Sequence, residues 1–420
     1  MTSSRHAGAR RARRLWLNIH LWLGLTLGVL GVLIGVTGSI LIYDTAIDAR
    51  LNPGRYAVSG NAVGRSFQDY LADAQPALPA GGRATAVRLP TEDGSPVMVL
   101  ARAQGERPGF QRIYLDPPTG RVLDVSADGG FVGVVHSLHE NLTLREYMGR
   151  EIVGLVGFGM LISSLSGIYL WWPTGALRLG LRGLLGFRPG LPLTRNLHYF
   201  FGFYGCVFLA LLSFSGIWIA YPEGGRSVAG WFGPLSPSLR QAPGRQEAAQ
   251  NAGAGNARDK EAGKVRGAQD GGNKEAAGRD SGRGADSKPR ITADEAAARA
   301  QALYPHARLA GVTLPSGAGG TYRVGLNDPA DSVAQPGGNI VVMVDRSGEI
   351  TRRADRASRT AGDQFIAMQR PLHNGELLGP LGKAIYFITG FLPALFVFTG
   401  SLMWMRQRKG KSYTRVLQTA

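Results

Sequence analysis

The sequence predicts a membrane α-helical protein in which four transmembrane helices form a duplicated unit of helix, exported α+β domain and helix. Three observations predict it. Apolar residues gather into four runs, roughly 19–43, 152–172, 197–221 and 384–405, each long enough to cross a hydrocarbon core of about 30 Å. Arginine and lysine cluster on alternate sides of these runs. The stretch Asn18-Ile19-His20-Leu21-Trp22-Leu23-Gly24, opening the first run, recurs as Asn196-Leu197-His198-Tyr199-Phe200-Phe201-Gly202 at the opening of the third. In both copies the histidine precedes a glycine by 18 positions (Gly38, Gly216) and a tyrosine by 23 (Tyr43, Tyr221).

The charge sets the orientation. The 420 residues carry 47 Lys and Arg against 30 Asp and Glu, a formal +17, which spread evenly would suggest a nucleic-acid partner. Its placement argues against one. Arg10, Arg11, Arg13 and Arg14 precede the first run, Arg178, Arg182, Arg188 and Arg195 separate the second from the third, and Arg406, Arg408, Lys409 and Lys411 follow the fourth. By the positive-inside rule, residues 1–14, 174–195 and 406–420 are cytoplasmic and both termini lie inside. The spans are then 15–43, 136–173, 196–221 and 371–405, the second and fourth with exported extensions, and residues 44–135 and 222–370 are the exported domains. The first run exceeds a 7–15-residue signal-peptide core and no small-residue cleavage site follows it, so it reads as a retained anchor. The single cysteine, Cys206, lies within the third run, which leaves the exported domains without disulfides and the chain without a thiolate metal site.

Within the first run Gly24, Gly28, Gly31, Gly35 and Gly38 form one narrow stripe in line with His20, and Gly202, Gly205, Ser213 and Gly216 repeat it below His198. Small residues so placed let another helix or a flat ligand approach the backbone. The first exported domain reads as a short helix at 66–73, extended segments at 85–89, 96–101 and 111–115, the turn Asp116-Pro117-Pro118-Thr119-Gly120, and Val122-Leu123. The second repeats the plan: a helix at 292–303 with Thr292 and Glu295 as a capping box, extended segments at 308–314, 321–326 and 339–344, the turn Asp345-Arg346-Ser347-Gly348, and Glu349-Ile350. Residues 238–288 are polar, without apolar period, and read as a disordered insertion.

The second and fourth runs also correspond. Ser137-Leu138-His139 parallels Pro371-Leu372-His373, Gly149-Arg150 parallels Gly382-Lys383, and Ser166-Gly167 parallels Thr399-Gly400. The repeat therefore sorts the seven histidines. His20 pairs with His198 at the cytoplasmic ends, and His139 with His373 on the exported side. Parallel repeats imply a pseudo-two-fold axis along the membrane normal, across which each pair faces. Two histidines make a poor tetrahedral zinc site, which wants four ligands. A haem brings four equatorial nitrogens and needs two axial ones, which an opposed pair supplies. Two haem sites are expected, with His20, His198, His139 and His373 as axial iron ligands. His136, one turn before His139, has no counterpart in the repeat and is kept as an alternative ligand. Arg370 and Arg145, near the same level, are candidates to meet haem propionates or an anionic substrate. No G-x-S-x-G, HExxH, Walker loop or dinucleotide fingerprint is present, so electrons must come from another molecule.

These motifs resemble the PepSY-associated transmembrane family of bacterial inner-membrane proteins, and within it the ferrisiderophore reductases of the FoxB type. The resemblance covers nearly the whole chain. It rests on Asn18-x-His20-x3-Gly24, Leu138-His139-x-Asn141-Leu142 with Gly149-Arg150, the close Gly167-Ile168-Tyr169-Leu170-Trp171-Trp172-Pro173, Asn196-x-His198-x3-Gly202 and Leu372-His373-x-Gly375. It implies two b-type haems with bis-histidine ligation, PepSY-like periplasmic domains, and electrons passed from a cytoplasmic or membrane donor to ferric siderophore in the periplasm. The expectation is thus a haem-dependent ferric-chelate reductase of the inner membrane. Two other readings stand beside it: a non-enzymatic membrane protein whose exported domains bind or restrain a periplasmic partner, and a transporter. Four unbroken helices without buried charges argue against the last.

Overall fold

The computed structural model describes residues 2–78, 81–102, 110–127, 130–171, 192–235, 291–317, 320–330 and 338–419, with side chains described from residue 8 to residue 408. The insertion at 238–288 and the basic residues Arg178, Arg182 and Arg188 fall outside them.

Helix α1 (Thr2–Thr26) and helix α2 (Gly28–Leu41) carry the first apolar run. Together they are apolar enough for a span but are bent by 62° at Leu27. The expected single helix is therefore broken. Just past the bend a Cβ on Gly28 would lie 2.6 Å from Val397 Cγ2, so the small residue lets the last helix approach closely. Helix α3 (Asp44–Leu51) and a 3₁₀ turn at Pro53–Tyr56 follow. Ser66 and Asp69 form a capping box on helix α4 (Phe67–Ala74).

Strands β1 (Arg83–Arg88), β2 (Val97–Arg102), β3 (Phe110–Leu115) and β4 (Val122–Ser126) then run as an antiparallel meander. Helix α5 (Gly130–Asn141) leads back to the bundle and helix α6 (Gly149–Trp171) is the second apolar run. The third is helix α7 (Leu193–Ala220), followed by helix α8 (Pro222–Phe232). Helix α9 (Ala293–Leu303) begins at the expected Thr292–Glu295 capping box. Strands β5 (Arg308–Thr313), β6 (Tyr322–Asn327), β7 (Ile340–Val344) and β8 (Ile350–Ala354) repeat the meander. Helix α10 (Ala361–His373) starts at a third capping box, Thr360 with Asp363. Helices α11 (Gly379–Thr389) and α12 (Leu392–Thr419) carry the fourth run, interrupted at Gly390, where Gly35 of α2 meets it backbone to backbone.

Among the described residues three spans, Gly149–Trp171, Leu193–Ala220 and Glu376–Arg408, are long and apolar enough to cross a membrane, and the bent pair, taken as one span, makes four. Leu155, Phe158, Ile162 and Leu165 of α6 point outward with large exposure, as a lipid-facing surface requires.

The two segments that carry the strands do not stand apart as separate domains. β1 pairs with β5, giving one eight-stranded sheet in the order β4-β3-β2-β1-β5-β6-β7-β8. One face is covered by α4 and α9, which bury Phe67, Tyr70, Ala296 and Ala300 against Val87, Val99, Ile113, Val312, Val324 and Val342. The other face meets the chain coming from the bundle. Arg55, 4% exposed, lies 2.7 Å from Asp48 of α3 and 2.7 Å from Asp124 of β4, with its guanidinium 4.3 Å from the Tyr114 ring centre. The Tyr56 hydroxyl donates to Asp48 at 2.8 Å. A buried cation between two carboxylates thus ties the end of the first span to the sheet edge.

Candidate functional site

Helices α1 and α7 bring His20 and His198 to ring centres 6.3 Å apart, with planes at 81°. Helices α5 and α10 bring His139 and His373 to 6.1 Å, with planes at 50°. An imidazole nitrogen sits about 2 Å from a bound first-row metal, so two rings on opposite sides of one ion have centres about 6–6.5 Å apart. Both pairs stand at that separation.

Each ring is held at Nδ1 by a hydroxyl of a neighbouring helix, and three of the four by a backbone carbonyl as well. His20 Nδ1 is 3.0 Å from Ser163 O and 3.0 Å from Ser166 Oγ. His139 Nδ1 is 2.9 Å from Ile34 O and 3.2 Å from Thr37 Oγ1. His373 Nδ1 is 3.1 Å from Leu212 O and 3.0 Å from Ser215 Oγ, and His198 Nδ1 is 2.8 Å from Thr399 Oγ1. The carbonyls can only accept. The hydroxyls already spend their protons on their own helices, Ser166 on Ser163 O, Thr37 on Leu33 O, Ser215 on Leu211 O and Thr399 on Leu395 O. All four Nδ1 atoms must therefore be donors, which assigns the remaining lone pair to Nε2. That is the tautomer a histidine needs to bind a metal through Nε2.

The residue after each hydroxyl is a glycine, and it lies against the ring. A Cβ would stand 2.8 Å from His139 Cε1 at Gly38, 3.1 Å from His373 Cε1 at Gly216, 3.4 Å from His20 Cε1 at Gly167 and 3.7 Å from His198 Cε1 at Gly400. The glycines 18 positions after His20 and His198 thus serve the other pair of rings. Sequence reasoning found these glycines, and paired Ser166-Gly167 with Thr399-Gly400, but gave the hydroxyls no role. The available signal was a Ser-Gly or Thr-Gly dipeptide in every apolar run, with two, Thr389-Gly390 and Thr399-Gly400, in the fourth.

A cavity of about 340 Å³ opens beside His20 and His198, lined by Gly24 and Gly202 among others, a size within the range of cofactor sites. A Cβ on Gly24 or on Gly202 would meet nothing within 4 Å, so this space fits a flat group between the helices. Arg13 and Arg195 line its rim, and Arg13 also donates to Leu170 O at 2.5 Å. Among the described residues no group of three or more His, Cys, Asp or Glu side chains gathers to hold a bare ion. The donor set suits a group that brings its own equatorial ligands.

The remaining predicted residues lie nearby but outside the pairs. His136 is 47% exposed and 3.0 Å from Glu140 on its own helix, so the structure brings His139 to His373 and leaves His136 out. Arg370 is exposed, within electrostatic range of His136, Glu140 and His373. Arg145 is exposed in the loop before α6. That loop holds Leu142, Thr143 and Met148 at φ of 55°, 59° and 59°, a strained path for side chains other than glycine.

A family model described as the PepSY-associated TM region matches residues 17–407, which takes in both histidine pairs, all four glycines and the whole sheet. No curated protein matches the chain.

Proposed function

This chain belongs to the PepSY-associated TM family, and on that premise we propose that it is a four-helix dihaem oxidoreductase of the bacterial inner membrane. In this reading both termini are cytoplasmic, the unit of helix, exported meander and helix occurs twice, and the sheet stands in the periplasm. The observation that carries the proposal is the fourfold Nδ1 clamp with ring centres 6.1 and 6.3 Å apart.

His20 with His198, and His139 with His373, would each hold one haem b through Nε2. A haem held there supplies one-electron chemistry, its iron alternating between ferric and ferrous. With one cysteine, Cys206, and no C-x-x-C-H stretch, the chain offers no thioether attachment of the c type, so these histidines would be the protein's bonds to the group. The hydroxyl and carbonyl partners fix ring orientation and raise ligand basicity. The apolar helices exclude water and so set the potential.

The two pairs are separated along α1 and α2, since His20 lies before the bend and Gly38, beside His139, is 18 residues further on in α2. At 1.5 Å per residue this is at most about 27 Å. The net reaction is one electron accepted from a donor in the cytoplasm or membrane and one delivered to a ferric siderophore. Chelated Fe(III) becomes Fe(II), which hard oxygen ligands hold far less well.

The test is absorption spectroscopy of the full-length protein in detergent. A Soret band that dithionite shifts, and that ferric siderophore restores without oxygen, is expected. His198→Ala and His373→Ala should each lose about half of the haem. Protein from haem-replete cells that lacks the band sinks the proposal.

A further inference from the structure

The cavity beside His20 and His198 has two unlike ends. On α7 its lining runs from Arg195, three residues before His198, to Leu209, eleven after it. On α1 and α2 it runs from Arg13, seven residues before His20, to Gly31 beyond the bend. On α6 it runs back from Trp171 to Gly159, and on α12 from Gln407 to Pro393. Contacts between the helices fix how these ends match. Arg13 meets Leu170 at one end, and Gly28 meets Val397 toward the other. Arg13, Trp171, Arg195 and Gln407 therefore share one end, and Gly31, Gly159, Leu209 and Pro393 the other.

The charge is confined to the first end. Histidines aside, the charged residues that line the cavity, among those described, are Arg13 and Arg195. The far end is wholly apolar. Seven residues of helix put Arg13 about 10 Å along the axis from His20, and Arg195 is nearer still to the level of His198. Both side chains are long enough to meet the edge of a flat group centred between the two rings. The Arg13 guanidinium is held in place by its bond to Leu170 O at 2.5 Å, which takes one of five N–H groups. Arg195 is half-buried on the helix that carries the opposing ring.

Protohaem is two-ended in the same sense. Both of its carboxylates sit on one edge, and the opposite edge carries only methyl and vinyl groups. A carboxylate turned into the apolar end would lose its hydration without gaining a counter-charge. Guanidinium forks, in contrast, take carboxylates through paired, charge-assisted hydrogen bonds.

We propose that Arg13 and Arg195 bind the carboxylates of the haem held by His20 and His198, and so decide which way round it sits. Its carboxylate edge faces the arginine end of the cavity, and its hydrocarbon edge faces Gly31 and Leu209. This rests on the proposed function and deepens it, by naming the residues that orient the group. The edge turned along the bundle toward the second histidine pair is then the uncharged one.

The experiment isolates this site in full-length His373→Ala protein, made in haem-deficient cells and purified in detergent. Iron protoporphyrin IX and its dimethyl ester, in which both carboxylates are blocked, are titrated separately and followed by the Soret band. The free acid is expected to bind about 10-fold more tightly or better. Arg13→Gln and Arg195→Gln should each cut that ratio several-fold, the double variant should erase it, and Arg195→Lys should keep most of it. Affinity for the ester should be the same in every variant, which shows that the cavity still forms. Arg408→Gln removes a cation that rests on the Trp404 ring, 4.2 Å from its centre, outside the lining, and should leave the ratio unchanged. Equal binding of acid and ester overturns the proposal and leaves the dihaem reading standing. So does a ratio that survives the double variant, as arginines paired with lipid phosphates would give. Protein that takes up neither porphyrin overturns both.

Discussion

Gly38 of α2 lies against the His139 ring so closely that a Cβ there would stand 2.8 Å from Cε1. Carbon atoms prefer about 3.5–4.0 Å, so even alanine must push the ring away. The ring is held at Nδ1 by Ile34 and Thr37 of the same helix and cannot move without breaking that clamp.

The four glycines should accordingly form a graded series. If the proposed haems are bound, Gly38→Ala is expected to deplete the one at His139 and His373 most, Gly216→Ala somewhat less, and Gly167→Ala and Gly400→Ala little, following 2.8, 3.1, 3.4 and 3.7 Å. Haem-to-protein ratio for each variant measures this. Equal loss at Gly38 and Gly400 would show that ring contact is not what these glycines provide.

His198 differs from its three counterparts, because among the described residues only the Thr399 hydroxyl meets its Nδ1. Thr399→Val keeps the shape and removes that acceptor. Loss of such a partner typically costs about 10–100-fold in metal affinity or activity. Ser215→Ala leaves the Leu212 carbonyl on His373 and should cost several-fold less. Competitive haem transfer from each variant to apomyoglobin reads the difference directly.

Arg55→Ala leaves Asp48 and Asp124 facing each other without the cation between them. Breaking a buried ion pair by removing one partner costs about 3–5 kcal/mol. The sheet should loosen from the bundle, with cleavage in limited proteolysis appearing near residues 52–66. Wild-type resistance in the variant would mean that the link is ornamental.

The Tyr304 hydroxyl donates to the Asp355 carboxylate, joining the end of α9 to the segment after β8. Burial, then this bond to the anion, pushes the Tyr304 pKa up to about 12. Burial opposes ionisation of Asp355, but the Tyr304 and Ser358 bonds outweigh it and hold its pKa below the ordinary value. For the raised tyrosine, the contribution is complete below its unfolded pKa of about 10 and fades as pH climbs toward 12. For the lowered aspartate it is complete above about 4 and fades as pH falls. The difference in unfolding midpoint between wild type and Tyr304→Phe should thus be flat from about pH 5 to 9 and shrink at both ends. A difference that grows toward either extreme contradicts this.

Much of the chain was legible beforehand because its signals are local. A run of about 20 apolar residues needs no partner to declare itself, and short apolar, β-branched runs such as Val97–Ala101 or Ile340–Val344 mark strands wherever they pair. The Thr292–Glu295 box closes within one turn, so the start of α9 stood where it was expected. The box at Thr360–Asp363 carries the same local signal for the start of α10. The bend at Leu27 is illegible in the sequence, since glycines at 24, 28 and 31 fit a straight packing stripe equally well.

By itself, then, the sequence determined four apolar runs, the two meanders between them, and four histidines in register, since hydropathy, capping and repetition are written in neighbouring residues. Only the tertiary structure decided that β1 pairs with β5 to make a single sheet, and that Ser166, Thr37, Ser215 and Thr399 hold the four rings. Those relations join residues from 102 to more than 200 positions apart. No local pattern encodes such distances, and the packing of the helices and the pairing of the strands supply them.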